Sequence, residues 1–352
     1  MIDLRSDTLS QPTPEMLETI LTAQLGDDDR THELGRGEDP TVNELEDLAA
    51  RITGKQAAVL FPSGTMANSA AVLAQAAPGS TLLVDELQHF MKSEPYLFDS
   101  AYGRMAARTY RHDEAGLPLL EDIERELAEQ PIDLVCVENT LNFAGGAPIP
   151  AERLAAVYKL AQAAGVRVHM DGARIFNAAI ALGADVAELC RHADTVMFCL
   201  SKGLSAPVGS LVCGDQETIL KVRRARKALG GAMRQAGIIA APGIYALEHM
   251  VDRLAEDHES ARICAEGIAG LEHTPIVGTV STNIVVIDPK PLGVDAIRYC
   301  ELAAERGLAI KPVMGTLVRL VFYRGITRDD ARAAARIIRS LDESLGTGPE
   351  LS

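Results

Sequence analysis

The chain has 352 residues, of which 34 are lysine or arginine and 49 are aspartate or glutamate, so its formal net charge is −15. Hydrophobic residues make up 47% and charged residues 24%, which is typical of a globular protein large enough for two domains. The negative charge argues against nucleic acid or an anionic membrane as the main partner. The sequence shows neither a signal-peptide pattern at its N-terminus nor an apolar stretch of the roughly 20 residues that a membrane-spanning helix needs.

The six cysteines are scattered, form no CxxC pair, and in four cases lie in apolar runs. Reduced thiols in the core are therefore favoured over disulfides, and a cytoplasmic location is expected. We predict no metal site.

Hydrophobic patterning predicts the elements in chain order. A helix over 15–23 is followed by a polar, glycine-rich loop over 26–40 and a helix that runs from an N-cap at Thr41 to Arg51. We then predict strands at 57–61, 81–84, 134–137, 166–170, 195–200 and 210–213, alternating with helices at 66–75, 151–164 and 175–182. The last part is predicted to contain strands at 283–287 and 317–322 and helices at 294–306 and 328–345.

Short apolar strands interleaved with helices indicate an α/β fold with a mostly parallel sheet. We assign residues 1–250, including the N-terminal segment, to a large domain. Residues 251–346 are assigned to a smaller C-terminal α+β domain, and residues 347–352 to a disordered tail.

Lys202 directly follows the apolar strand predicted at 195–200. Lysine is almost never fully buried unless it is paired or functional, and a desolvated lysine becomes nucleophilic. Such a lysine could form an imine with an aldehyde cofactor. An ordinary surface lysine at the end of a strand explains this position equally well when it is considered alone.

Asp171 follows the strand predicted at 166–170, at the carboxyl end where ligands bind in open α/β sheets. It precedes Lys202 by about one strand–helix–strand unit, so the two side chains could converge on one crevice. An aspartate paired with a pyridine nitrogen keeps that nitrogen protonated, as pyridoxal phosphate chemistry requires. Alternatively, Asp171 caps the next helix. His169, one strand period earlier, could at most support Asp171.

Ser63, Gly64 and Thr65 lie between a predicted strand and a predicted helix. Free backbone N–H groups, hydroxyls and the positive end of the helix dipole make such a junction a phosphate site, although serine and threonine are also simple helix caps. Together with Lys202 and Asp171, this junction favours pyridoxal phosphate as the cofactor.

Some other polar residues are weaker candidates. His89 lies just beyond the strand at 81–84 and could stack on a cofactor ring and transfer protons, although a structural or exposed histidine fits as well. We interpret most of the basic run at 221–227 as a solvated helix face, and Arg234 as a cation directed to a phosphate. Arg319 interrupts an apolar strand, so it should pair either with an amino acid carboxylate or in a structural salt bridge.

A set of ordered motifs resembles the threonine aldolase family of fold-type I pyridoxal phosphate enzymes, within the β-eliminating lyase group. The motifs are DLRSDT at 3–8, GEDPTVN at 37–43, PSGTMAN at 62–68, ENT at 138–140, DGARIFN at 171–177, CLSKGL at 199–204, PVGS at 207–210 and MRQ at 233–235. Each motif is modest alone, but the ordered set is highly specific. The resemblance runs from the first residues to about Arg319.

The resemblance implies pyridoxal 5'-phosphate as the cofactor and assigns a set of residues to its site. They are Lys202 as the covalent attachment point, Asp171 at the pyridine nitrogen, His89 stacked on the ring, Ser63, Gly64 and Thr65 at the phosphate, Arg174 near the cofactor oxygen, and Arg234. Because Arg234 would come from a neighbouring subunit, the resemblance implies a homo-oligomer of at least two chains, with a tetramer expected and the active site at the subunit interface.

The family cleaves β-hydroxy-α-amino acids such as threonine and allo-threonine to glycine and an aldehyde by breaking the Cα–Cβ bond. The resemblance places Arg174, Ser6 and Arg319 around the substrate carboxylate. β-Elimination, racemisation or transamination of an unusual amino acid on the same scaffold remains an alternative. The retained lysine and aspartate argue against a third class, a catalytically inactive protein that binds partners through its acidic surface.

The chain departs from the family pattern mainly on the substrate side. Leu141 stands where the family usually has a histidine that is a candidate for handling the β-hydroxyl. The loop at 27–36 is longer than usual, places Arg36 before the glycine and lacks the usual tyrosine, and residues 95–98 are bulkier than expected. These departures lead to the hypothesis that the chain keeps pyridoxal chemistry but prefers an unusual substrate or performs a related reaction.

His32, in the enlarged loop, could replace the histidine that is missing at position 141. If it does, His32→Ala should lower turnover of a β-hydroxy-α-amino acid by about 100-fold or more, the range typical of general acid–base groups. Steady-state rates of glycine formation would measure this effect. Unchanged turnover would show that the hypothesis is wrong.

Overall fold

The computed structural model describes residues 1–31 and 35–346. Its strands are Ile2–Asp3 (β1), Ala57–Phe61 (β2), Thr81–Asp85 (β3), Ala106–Tyr110 (β4), Leu134–Glu138 (β5), Arg167–Asp171 (β6), Thr195–Cys199 (β7), Ser210–Gly214 (β8), Ile284–Ile287 (β9), Leu308–Ala309 (β10), Lys311–Val313 (β11) and Leu317–Val321 (β12). Its α-helices are Pro14–Thr22 (α1), Pro40–Thr53 (α2), Gly64–Leu73 (α3), His89–Ser93 (α4), Leu120–Glu129 (α5), Ala151–Ala163 (α6), Ile175–Leu182 (α7), Val186–Cys190 (α8), Gln216–Ala228 (α9), Gly237–His249 (α10), Leu254–Ile268 (α11), Ala296–Glu305 (α12) and Arg328–Gly346 (α13). His32 and the predicted tail at 347–352 lie outside the described residues.

Seven strands form the main sheet, in the order β2-β8-β7-β6-β5-β3-β4. Strand β8 is antiparallel to both of its neighbours, β2 and β7, and the pairs from β7 to β4 are all parallel. Successive residues such as Val135 and Cys136 belong to different apolar clusters, so the sheet is covered on both faces. This architecture confirms the predicted α/β fold with a mostly parallel sheet.

The direction of the strands decides where the chemistry can be. Since β2 and β7 are both antiparallel to β8, they run in the same direction, and β6, β5 and β3 run in that direction too. Strand β4 is parallel to β3, so six strands in all end at one edge of the sheet. The residues that directly follow these strands come from distant parts of the sequence and meet at this edge.

A second, three-stranded antiparallel sheet has the order β11-β12-β9 and shares an apolar core with α11, α12 and α13. Leu4 lies in this smaller core, and β1 pairs in parallel with β10 through Ile2 and Leu308. The N-terminal strand thus packs with the C-terminal part of the chain, whereas the domain division predicted from the sequence assigned this strand to the large domain. This packing carries residues 6 and 7 to the boundary between the two sheets.

The start of α2 differs from the prediction for a clear reason. Asp39 is the N-cap, and its carboxylate accepts the N–H of Val42 at 3.0 Å, while Pro40 occupies the first helical position. The prediction of Thr41 as the N-cap is wrong. The Thr41 hydroxyl instead donates from inside the helix to the carbonyl of Gln24 at 2.8 Å.

The basic run at 221–227 lies on α9, and three of its five basic residues are exposed, as predicted for most of the run, whereas Arg223 and Arg226 are buried. Arg223 donates to Glu46 at 2.6 Å, Arg226 pairs with Asp28 at 2.9 Å, and all four side chains are buried. Residues three apart lie on the same face of a helix, so these two guanidinium groups point into the protein while the other basic residues remain at the surface.

None of the described helices is long and apolar enough to cross a membrane. All six cysteines are free and five of them are buried, which confirms the expected core thiols.

We expect Arg223→Met to lower the free energy of unfolding by about 3–5 kcal/mol, because Glu46 would keep its charge in the interior without its nearest cation. Urea denaturation followed by circular dichroism would measure the loss. Lys221→Met on the same helix is the matched control, because its pair with Glu217 is exposed and should contribute about 0.5 kcal/mol or less. Equal losses in the two variants would contradict the importance of the buried pair.

Candidate functional site

The shared edge of the main sheet brings the predicted site residues together. Ser63 follows β2, His89 follows β3, Asp171 ends β6 and Lys202 lies three residues beyond the end of β7. Glu138, the last residue of β5, joins them and was not predicted from the sequence as a site residue. Its place in the Glu-Asn-Thr motif was the signal that could have identified it.

Asp171 is buried, with 1% of its surface exposed. The side-chain amide of Asn68 donates to its Oδ2 at 2.9 Å, and the N–H of Ala173 donates to its Oδ1 at 3.1 Å. Helix α7 begins only at Ile175, with Arg174 in the N-cap position, so Asp171 does not serve as its cap. A buried carboxylate held by two donors fits the acceptor that a protonated pyridine nitrogen needs.

The start of α3 has the geometry of an anion site. The Ser63 hydroxyl accepts the N–H of Met66 at 3.2 Å and thereby caps the helix. The first N–H groups of a helix have no partner within the helix, which leaves those of Gly64 and Thr65 available to an anion. A Cβ at Gly64 would lie 3.0 Å from the sulfur of Cys199, so the tight packing there favours glycine. These features fit a phosphate group.

A buried polar cluster lies where the N-terminal segment meets both sheets. The Arg174 guanidinium donates to both carboxylate oxygens of Asp7, at 2.7 and 2.8 Å. The remaining nitrogen of the Arg174 guanidinium, Nη1, donates to Oδ1 of Asn142 at 3.1 Å, and Arg319 donates to the same oxygen at 2.7 Å. Asn283 approaches Asp7 at 3.4 Å. The sequence did not lead us to predict Asp7, Asn142 or Asn283 as site residues. Of the three, only Asp7 lies in one of the family motifs, which could have identified it.

Arg319 is the member of this cluster with free donor capacity. Its Nε is buried without a hydrogen-bond partner among the described residues, and no carboxylate there lies within ion-pair distance of it. Burial and the neighbouring Arg174 lower the pKa of Arg319 to about 10. A guanidinium in this position attracts a carboxylate ligand, because that ligand would satisfy the remaining donors and offset the charge.

Asp7 carries the charge that balances the cluster. Burial opposes its ionisation, but the charge and hydrogen bonds of Arg174 prevail and, with Lys202 and Arg319 assisting, lower the pKa of Asp7 to about 2. Lys202 is therefore within electrostatic reach of the carboxylate cluster. The Lys202 backbone is also tied to the N-terminal segment, because its carbonyl accepts the hydroxyl of Ser10 at 2.7 Å.

His89 begins α4 and lies at the same edge of the main sheet. Its ring stacks on Phe143, with the ring centroids 6.1 Å apart and the planes inclined by 12°. Its Nδ1 lies 3.1 Å from Oε1 of Glu94. Because a carboxylate only accepts, Nδ1 carries the hydrogen in this pair and Nε2 is left to exchange a proton.

Glu138 connects the segment that carries His89 with the segment that carries Asn142. One of its oxygens accepts the N–H of His89 at 2.5 Å, and the other accepts the N–H of Asn142 at 2.9 Å. Burial, followed by the nearby Asp171 carboxylate, raises the pKa of Glu138 to about 8. The same side chain thus holds the backbone of His89 at the start of α4 and the backbone of Asn142, whose side-chain oxygen accepts from Arg174.

The other predicted residues are less involved in the cluster. Ser6 caps a short 3-10 turn and accepts the hydroxyl of Thr8 at 2.8 Å. Arg234 is two-thirds exposed and pairs with Asp27 of the same chain at 2.9 Å. Leu141 is buried immediately before Asn142.

A cleft of about 340 Å³ opens beside these residues. Its lining combines polar and charged side chains with apolar ones: His89, Lys92, Asn142, Lys311 and Arg319 together with Phe143, Val313 and Met314. The cleft thus offers cations for a carboxylate and apolar surface for a side chain.

The sequence from residue 3 to residue 290 matches the family model described as "Beta-eliminating lyase". The chain belongs to this family. It is 36% identical over 339 residues to low-specificity L-threonine aldolase 1 of Arabidopsis thaliana, covering 94% of this chain and 93% of the relative. It is 39% identical to the low specificity L-threonine aldolase of Escherichia coli K12 over 76% of this chain and 78% of that enzyme.

The fold agrees with this assignment. A solved threonine aldolase of Leishmania major superposes with a TM-score of 0.78 at 16% identity, over 97% of this chain and all of that one. Family membership confirms the expected fold-type I architecture, the enzyme class of lyase and the cofactor, pyridoxal phosphate.

The raised pKa of Glu138 predicts a pH dependence of stability. Above the ordinary pKa of glutamate, the folded state keeps a proton that the unfolded state has released, so stability falls as the pH rises towards about 8. Glu138→Gln should therefore flatten this decline, leaving the part due to Asp257, whose pKa burial raises to about 7. Urea midpoints measured from about pH 5 to about pH 8 would test it. A slope unchanged by Glu138→Gln, and equal to that of the exposed-site variant Glu124→Gln, would contradict it.

Proposed function

We propose that the enzyme is an aldolase that cleaves a β-hydroxy-α-amino acid of the threonine or allo-threonine type to glycine and an aldehyde. The observation that carries this proposal is the buried, partly unpartnered guanidinium of Arg319 within the cluster that also reaches Lys202. An amino acid carboxylate is a planar, bidentate partner for such a group. The similarity to curated threonine aldolases over nearly the whole chain supports the reaction type.

The same residues suit the cofactor. Lys202 would hold pyridoxal phosphate covalently, Asp171 would pair with its ring nitrogen, and Ser63, Gly64 and Thr65 would bind its phosphate. When bound, the cofactor withdraws electrons from the substrate α-carbon so that the Cα–Cβ bond can break. Asp171 favours this chemistry because its negative charge keeps a proton on the ring nitrogen.

The protein must also orient the substrate and move a proton. We propose that Arg319 and Asn142 bind the carboxylate, with Arg174 holding Asn142 and Asp7 in place. His89 is the proposed base for the β-hydroxyl, because Glu94 orients its ring and leaves Nε2 free to accept a proton. Leucine cannot exchange a proton, so Leu141 leaves this work to another group.

We further propose that the active unit is at least a dimer in which Arg234 serves the phosphate of a neighbouring chain. Arg234 is exposed just before α10, which packs against α1, and these two helices carry exposed apolar side chains that include Leu17, Leu21 and Ile238. A cytoplasmic location is proposed as well, since all six thiols are free.

The holoenzyme should release glycine and an aldehyde in equal amounts from a panel of β-hydroxy-α-amino acids, including substrates with apolar β-substituents that suit Phe143 and Met314. Lys202→Ala should lower turnover by about a thousandfold or more, because the covalent attachment point proposed for the cofactor would be lost. Lys221→Ala, which alters an exposed lysine of α9, is the control. Formation of a keto acid and ammonia instead of glycine, or full activity of Lys202→Ala, would contradict the proposal.

A further inference from the structure

A line of polar side chains leads from the partly buried Gln75 through the buried Thr195, His169 and Asn68 to Asp171, and it takes no direct part in the proposed reaction. The Nε2 of Gln75 lies 2.8 Å from the hydroxyl of Thr195, and that hydroxyl lies 2.9 Å from Nδ1 of His169. On the other side of the ring, Nε2 of His169 lies 3.2 Å from Oδ1 of Asn68. Asn68 in turn donates to Asp171 at 2.9 Å. The four contacts form one continuous chain.

Asp171, at one end of this series of hydrogen bonds, determines which group donates and which accepts in each bond. A carboxylate can only accept hydrogen bonds, so Asn68 must present its N–H₂ group to Asp171. The carbonyl oxygen of Asn68 therefore faces His169. An oxygen in that position needs a donor, so Nε2 of His169 carries a hydrogen.

The charge state of His169 then determines the direction of the hydrogen bonds at Thr195. Burial lowers the pKa of His169 to about 4, against the opposing influence of Asp171 and of the Thr195 backbone, so the ring is neutral at physiological pH. A neutral ring with its hydrogen on Nε2 has a bare Nδ1. The Thr195 hydroxyl must therefore donate to Nδ1, and its oxygen is free to accept from Gln75.

The far end of the chain imposes the same direction independently. The Nε2 of Gln75 also donates to the backbone carbonyl of Ala71, at 2.9 Å. A carbonyl can only accept, so the Gln75 amide cannot turn its oxygen towards Ala71 without losing that bond. Both ends of the chain thus require every donor to point towards Asp171.

The opposite arrangement would harm the site. If the hydrogen were on Nδ1 of His169, Nε2 would become an acceptor and Asn68 would turn its N–H₂ group towards the ring. Its carbonyl oxygen would then face the carboxylate of Asp171, and the repulsion between the oxygens would favour protonation of Asp171. A protonated aspartate cannot hold a proton on the cofactor nitrogen.

We infer that His169 is a positioning residue whose Nε2–H tautomer, held by Thr195 and Gln75, directs an N–H group of Asn68 onto Asp171 and so keeps its carboxylate ready for the ring nitrogen of pyridoxal phosphate. This inference rests on the proposed pairing of Asp171 with that nitrogen. Neither Thr195 nor Gln75 belongs to the proposed cofactor or substrate site, so their influence on the cofactor would pass through the ring of His169.

The test compares Thr195→Val, which removes the hydroxyl with little change in shape, with Thr195→Ser, which keeps it. We expect Thr195→Val to raise the dissociation constant of pyridoxal 5'-phosphate about tenfold and to shift the pH dependence of the holoenzyme's visible absorbance. Thr195→Ser should remain close to the original protein. Thr53→Val is the matched control, because the buried Thr53 hydroxyl donates to the helix carbonyls of Ala49 and Ala50, outside the series of side chains that leads to Asp171.

A second measurement needs no variant at the threonine. In the holoenzyme labelled with ¹⁵N-histidine, the His169 signals, assigned by their loss in His169→Gln, should report a neutral ring with the hydrogen on Nε2. A hydrogen on Nδ1 would overturn the inference. So would a Thr195→Val protein that unfolds at lower temperature but keeps its cofactor affinity and absorbance, since that result describes a purely structural role.

The two proposals fail separately. If the original protein releases no glycine from any β-hydroxy-α-amino acid, the aldolase proposal fails, whereas the tautomer and the cofactor affinity still decide the role of His169. If glycine is released but Thr195→Val behaves like Thr53→Val, only the role of His169 is refuted.

Discussion

The buried ion pair between Asp7 and Arg174 is the contact on which the arrangement of the site depends. It joins the N-terminal segment to the edge of the main sheet, and Asn142 and Arg319 extend it to the smaller sheet. Because a buried guanidinium is costly without a partner, this pair also compels the chain around residue 7 to occupy its observed position. The N-terminal segment is thus a wall of the site and, through β1, a part of the smaller core.

This constraint explains why an acidic protein can bind an anionic cofactor and an anionic substrate. The net charge of −15 describes the whole chain, whereas the site gathers Lys202, Arg174 and Arg319 around the carboxylate of Asp7. Their positive charge is only partly neutralised, because Arg319 keeps an unpartnered donor. Beneath the same edge, His169 and its neighbours are neutral, so their effect on Asp171 comes from the direction of hydrogen bonds and not from charge.

The main elements and anchors could be predicted because their signals are local. Apolar runs bounded by helices identified the strands that precede Lys202 and Asp171, and family motifs identified the residues at their ends. Thr41 was assigned wrongly as a cap because Asp39 and Thr41 are both good capping residues, and only the hydrogen bond to Val42 distinguishes them. The sequence did not show which arginines of the basic run on α9 are buried, because a partner such as Glu46 lies 177 residues away from Arg223 in the sequence.

The sequence by itself determined the α/β class, the family, the cofactor and the lysine and aspartate at the strand ends, since each follows from residues close together in the chain. Only the tertiary structure decided that Arg174 is occupied by Asp7, that Arg319 keeps a free donor, and that Glu138 joins two loops. It alone also placed Gln75, Thr195 and Asn68 in line with His169. Those facts depend on donor and acceptor groups brought together from opposite ends of the chain, and no local pattern encodes which atom meets which.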